Sequence, residues 1–129
     1  MPDFSKYSLA LFEGNNLIYS SSDKGLRPLF DCLEKNKGKY GLILHDKLIG
    51  LAAAKLIVYS GIIAEVITNV ASIPAKKFLE EKCITIKALE ITANIMTKDK
   101  SAICPGEVIA LNTELKEDFF RKIEAMLNS

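Results

Sequence analysis

The chain has 129 residues, 49% of them hydrophobic and 26% charged, with a formal net charge of +1. This length suits one domain, residues 1–129, with a core of its own, and the near-balanced charge gives no electrostatic footprint for nucleic acid. The longest apolar run, Leu48 to Val58, is interrupted by Lys55 and is too short to span a bilayer, so no membrane partner is expected. The start, Met1-Pro2-Asp3-Phe4-Ser5-Lys6, lacks a basic-then-apolar signal pattern. Cys32, Cys83 and Cys104 are an odd, scattered set rather than a disulfide framework. A soluble, reducing, cytoplasmic setting is expected.

In chain order, Ser8 to Phe12 and Leu17 to Ser20 read as short strands. Glu13-Gly14-Asn15-Asn16 joins them with residues that tolerate positive φ, which predicts a hairpin. A polar loop, Ser21 to Gly25, leads into a helix with Pro28 in its first turn, where a missing N–H does no harm. Leu29, Phe30 and Leu33 recur there at helical spacing, and Asn36-Lys37-Gly38-Lys39 ends the helix. Tyr40 to Leu44 is the next strand. A helix from about Leu48 to Tyr59 is apolar on nearly every side, so it must be deeply buried or covered by a second copy of the chain. A homo-oligomer, most simply a dimer, is expected on that ground.

Gly61 suits a helix stop. Ile63 to Val70 reads as a strand, Ser72 as an N-cap, Ala75 to Lys82 as an amphipathic helix, and Ile84 to Leu89 as a last strand. Glu90 to Lys100 is ambiguous. Cys104-Pro105-Gly106-Glu107 opens a short helix, and Glu114 to Leu127 forms a terminal one with Phe119, Ile123, Met126 and Leu127 on one face. The order predicts an α/β domain with a mixed sheet, antiparallel at the N-terminal hairpin and parallel beyond it.

Three stretches carry a likeness to a known family. They are Lys24-Gly25-Leu26-Arg27-Pro28-Leu29, then Asp46-Lys47-Leu48-Ile49-Gly50 with its alanines, then Ile103-Cys104-Pro105-Gly106-Glu107. In this order the chain resembles a small family of microbial proteins of unknown function with a cytidine-deaminase-like fold. The resemblance implies three α/β/α layers, with about five strands and helices on both faces, and brings no established activity. A zinc deaminase needs His or Cys ligands, a proton-shuttling Glu and a Pro-Cys-x-x-Cys at successive helix starts. Here those starts carry Gly25-Leu26-Arg27 and Asp46-Lys47-Leu48-Ile49, and the sole histidine, His45, has no spaced partner. No metal and no cofactor are expected.

The residues themselves point to one place. An apolar strand runs into Asp46-Lys47 and then into a helix, and open α/β sheets bind ligands at such strand ends. Asp46 suits donors on a ligand, Lys47 suits an anion, and Gly50 permits close approach. Asp46 is equally suited to capping a helix, Lys47 to solvent, and Gly50 to packing with Ala53 and Ala54. Arg27, at a second helix start, suits a phosphate or carboxylate, or simply a loop surface. Cys104, at the start of a helix, is the candidate nucleophile of an enzymatic reading, with buried packing as the plainer alternative. Glu107 reads as a first-turn carboxylate of its own helix. The leading expectation is a zinc-independent domain that binds an anionic, nucleotide-like small molecule through Arg27, Asp46, Lys47 and Gly50. An enzyme using Cys104 and an interaction module without a ligand stand as alternatives.

Overall fold

The computed structural model describes residues 3–95 and 105–128. Strands β1 (Leu9–Glu13) and β2 (Asn16–Ser21) form the expected hairpin, and Gly14 supplies the positive φ, 60°, that a tight turn requires. Helix α1 (Arg27–Lys35) follows with Pro28 in its first turn and buries Pro28, Leu29, Cys32 and Leu33. Strand β3 (Leu42–Asp46) runs past the expected end at Leu44 and takes in His45 and Asp46.

After one residue, Lys47, the chain resumes as β4 (Leu48–Ile49), where the sequence pattern had predicted helix. Helix α2 therefore starts later, at Leu51, and ends at Ser60; Gly61 closes it with a left-handed φ of 70°. Strand β5 (Ile63–Ser72) leads into α3 (Ile73–Glu81), which Ser72 caps by accepting the Ala75 N–H at 3.2 Å. Strand β6 (Thr85–Thr92), α4 (Pro105–Asn112) and α5 (Lys116–Leu127) complete the described elements.

The sheet is mixed. Strand β1 pairs antiparallel with β2 and β3, whereas β3, β4 and β6 all run parallel to β5. From Ile43 onward, β3 and β4 meet β5 at one constant offset: Leu44 faces Val66, His45 faces Ile67, Leu48 faces Val70 and Ile49 faces Ala71. They form one line of the sheet, interrupted at Lys47. Counted in lines, the order is β2-β1-β3/β4-β5-β6, which accounts for six strands where about five were expected. At the interruption the Lys47 N–H donates to the Ser8 carbonyl (3.0 Å) and its own carbonyl accepts from Val70 N–H (3.4 Å).

Strand alternation puts Leu42, Leu44 and Val66 on the helix side of the sheet, all fully buried. Helices α1 and α3 flank α2, α4 lies on α2, and α5 packs on α4. Among the described residues the layers thus run sheet, inner helices (α1, α2, α3), outer helices (α4, α5). This corrects the expectation of helices on both faces. The opposite face keeps Ile43, His45, Glu65 and Ile67 half-buried. There the N-terminal segment crosses it, with Tyr7 Oη 3.0 Å from His45 Nδ1 and the Phe12 ring 4.6 Å from the imidazole.

This layering explains why α2 is apolar all round. Every residue from Leu51 to Ile57 is buried, by the sheet below and by α4 and α5 above. Its own chain covers it, so its composition no longer argues for a subunit contact. Lys55 belongs to this buried run. Its Nζ donates to the carbonyls of Ala110 (2.6 Å) and Thr113 (2.7 Å) at the C-terminal end of α4. A cation suits that end of a helix dipole, and the Phe119 ring lies 5.6 Å away.

Lys55→Met keeps the stem of the side chain and removes its charge. Two buried carbonyls then lose their donor, and unfolding should become easier by about 2–4 kcal/mol. Urea denaturation would measure this, with the far-UV circular dichroism of the folded protein unchanged.

Candidate functional site

A cleft of about 830 Å³ opens at the carboxyl end of β3. The starts of α1, α2 and α4, the end of α5 and the N-terminal segment surround it. Asp46, Lys47 and Gly50 all line it, at the end of β3 and beside the α2 start.

Asp46 lies on the helix side of the sheet. Its carboxylate accepts backbone N–H groups of Lys47 and Leu48, which favours the charged form, but burial outweighs them and pushes the carboxyl up to about 8. Asp46 is therefore largely protonated at neutral pH and can donate a hydrogen bond. Its neighbour on α1, Cys32, is fully buried, and burial pushes that thiol up to about 12. Lys47 is exposed and pairs with no described carboxylate; Lys24, from the loop before α1, does the same at the cleft mouth. Lys6 also lines the cleft but lies 3.7 Å from Asp3. One exposed carboxylate, Asp23, joins them.

The α2 start is already occupied. Its N-cap, Gly50, has no side chain, and its first turn holds no acidic residue. Glu107 of α4 reaches across instead. Its Oε2 accepts the Leu51 N–H at 2.7 Å and its Oε1 accepts the Ala52 N–H at 2.8 Å. The carboxylate thus serves as a cap from another helix, satisfying two of the N–H groups that a helix start leaves open. Gly50 makes this possible, since a Cβ there would overlap the Glu107 carboxylate, which supplies all three of its nearest atoms. Sequence reading treated Glu107 as a first-turn residue of its own helix. The available signal was indirect: a helix start with no cap of its own.

Arg27 does not line the cleft. Its guanidinium donates to the Leu127 carbonyl (2.9 Å) and Asn128 Oδ1 (2.8 Å), and it lies 3.6 Å from Asp31. A cation here suits the C-terminal end of α5. The contact holds Leu127, which does line the cleft, in place. His45 faces the other side of the sheet, where burial lowers its pKa. Cys104 lies outside the described residues. Among the described residues, no three His, Cys, Asp or Glu side chains gather as a metal site would require. No described helix is long and apolar enough to cross a membrane.

The model of the domain of unknown function DUF1893 matches residues 4–127. The chain belongs to the DUF1893 family. The crystal structure of a DUF1893 family protein from Thermotoga maritima has the same fold, with a TM-score of 0.84 and 24% identity over 95% of this chain and 82% of that one. No curated protein matches the chain. Family membership thus carries no activity into this DUF1893 cleft, whose chemistry rests on its own residues.

Two predictions follow from this geometry. Gly50→Ala should destabilise the protein by roughly 2 kcal/mol, the cost of displacing a buried charged hydrogen bond. In a Glu107→Ala background the same change should be nearly neutral, since the Gly50 backbone (φ −98°) suits alanine. A double-mutant cycle by chemical denaturation reads this coupling. The second concerns Asp46. Its folded pKa of about 8 lies above the unfolded value near 3.8, so the folded state holds the proton more tightly. The corresponding stability is complete in acid below the unfolded value and is lost as pH rises toward the folded one. Asp46→Asn should flatten the fall in melting temperature across that window.

Proposed function

We infer that this protein is a zinc-independent binding domain for a small anionic molecule with an apolar body, acting in a reducing, cytoplasmic setting. The observation that carries this reading is the cleft itself. Its volume, about 830 Å³, is within the range of small-molecule sites. Its walls are mainly apolar, including Leu9, Leu26, Ala52, Ala53 and Met126, and Lys24 and Lys47, which pair with no described carboxylate, stand at its mouth. Apolar walls with a few placed polar groups are what such sites share. The neutral state of Asp46 adds a hydrogen-bond donor without adding negative charge.

The reading keeps a deaminase-like frame without its zinc chemistry. A sheet that is antiparallel at the hairpin and parallel beyond supports that frame, as does a cleft at successive helix starts. Nucleotide-like ligands fit the combination of a flat apolar body and an anionic group, and belong in the first set of compounds tested. Arg27 contributes indirectly, by holding the end of α5 against the cleft.

The test is a thermal-shift screen of nucleoside monophosphates and sugar phosphates, with hits measured by calorimetry. Lys47→Ala should weaken the best hit by about 1–3 kcal/mol, the range for a hydrogen bond to a charged group, and leave the melting temperature of the free protein unchanged. Equal binding by parent and variant would show that the anion does not use Lys47.

A further inference from the structure

We propose that Glu107 sets the direction in which the cleft holds its ligand: the anionic group stays at the mouth, on Lys24 and Lys47, and the end that reaches the floor presents a hydrogen-bond donor. This rests on the cleft being a ligand site. Glu107 is then a specificity-determining residue.

An α-helix start ordinarily attracts anions, through its open N–H groups and its dipole. At α2 that attraction is spent within the chain, because the Leu51 and Ala52 N–H groups both donate to Glu107. Glu107 is 4% exposed, so water screens its carboxylate little, yet it lines the cleft. A second anion arriving at this floor meets a carboxylate whose charge the helix start offsets only in part, and finds two of the N–H groups taken. A donor finds the opposite. Each carboxylate oxygen has two acceptor sites, and the helix uses one on each oxygen. Asp46 does not reverse this preference, because its carboxyl keeps acceptor capacity for a donor and offers an anion one neutral hydrogen bond at most. It comes from the strand end rather than from a helix and adds no positive charge.

The mouth differs in kind. Lys24 and Lys47 come from separate loops, are exposed, and pair with no described carboxylate. The gradient from mouth to floor therefore runs from exposed cation to bound carboxylate, across apolar walls. A molecule with anions at both ends is refused. One with an anion at one end and a hydroxyl, amide or amine at the other fits.

Three probes of one shape separate these outcomes: phenyl phosphate, para-hydroxyphenyl phosphate and para-carboxyphenyl phosphate. Each is titrated at neutral pH into the full chain labelled with nitrogen-15, and amide shifts are followed. The hydroxyl compound should bind tightest, and the carboxyl compound at least about ten-fold more weakly than it. Shifts should appear at Lys24 and Lys47 with every probe that binds. In Glu107→Gln the disadvantage of the carboxyl compound should shrink to about three-fold or less. The parent series stands alone should that variant fold poorly. Hydroxyl and carboxyl compounds binding the parent equally well would overturn the role of Glu107 while leaving the cleft a binding site. No binding by any of the three would overturn the cleft reading as well.

Discussion

The contact between α2 and α4 is the constraint on which the structure turns. It is made at both ends by charged groups in opposite senses. Glu107 of α4 accepts from the α2 start, and Lys55 of α2 donates to the α4 end. Each charge sits where a helix dipole favours it, and each satisfies backbone groups that burial would otherwise leave open. Neither side chain would be tolerated in this interior without those partners. Together they fix α4 in register on α2, and α5 then follows. Tyr59 of α2 meets Phe119 and Phe120 of α5 within 6 Å between ring centroids.

From that contact follows the unusual composition of α2. A helix on the surface of an α/β sheet is apolar on one face only. This one has sheet below, α1 and α3 beside it and the outer helices above, so every face is interior. Its small residues, Ala52, Ala53 and Ala54, let these layers approach closely, and all three are buried.

The cleft is a consequence of the same arrangement seen from its end. The line of β3 and β4 is interrupted at Lys47, and Asp46 and Lys47 line the cleft beside the helix starts. Docking of α4 brings Gly106 and Glu107 to close the far wall, and Arg27 pins the end of α5 as another. Burial raises the Asp46 carboxyl to about 8 even though two N–H groups favour its charge. Among the described residues, the cleft thus carries the cations Lys24 and Lys47 at its mouth, while its floor holds the Asp46 carboxyl and a carboxylate already engaged.

Local pattern determined much of this. Gly14, Pro28, Gly61 and Ser72 act within a few residues of themselves, through φ, a missing N–H or a cap. The hairpin, the α1 start, the α2 stop and the α3 start were therefore legible in the sequence. So were the mixed sheet and the placement of Asp46, Lys47 and Gly50 at a strand end. Three places misled local reading. Leu48-Ile49 resembles the helix that follows it, and only the β5 neighbour makes it strand. Arg27 looks available until the end of α5, a hundred residues on, takes up its guanidinium. Glu107 is the sharpest case: its own helix gives it an ordinary first-turn role, while its hydrogen bonds lie more than fifty residues away. Short-range chemistry set the elements and the strand-end location of Asp46 and Lys47. Which charges remain free there was decided by tertiary packing, because a charge is cancelled by whatever the fold brings within hydrogen-bond reach, and sequence spacing does not measure that distance.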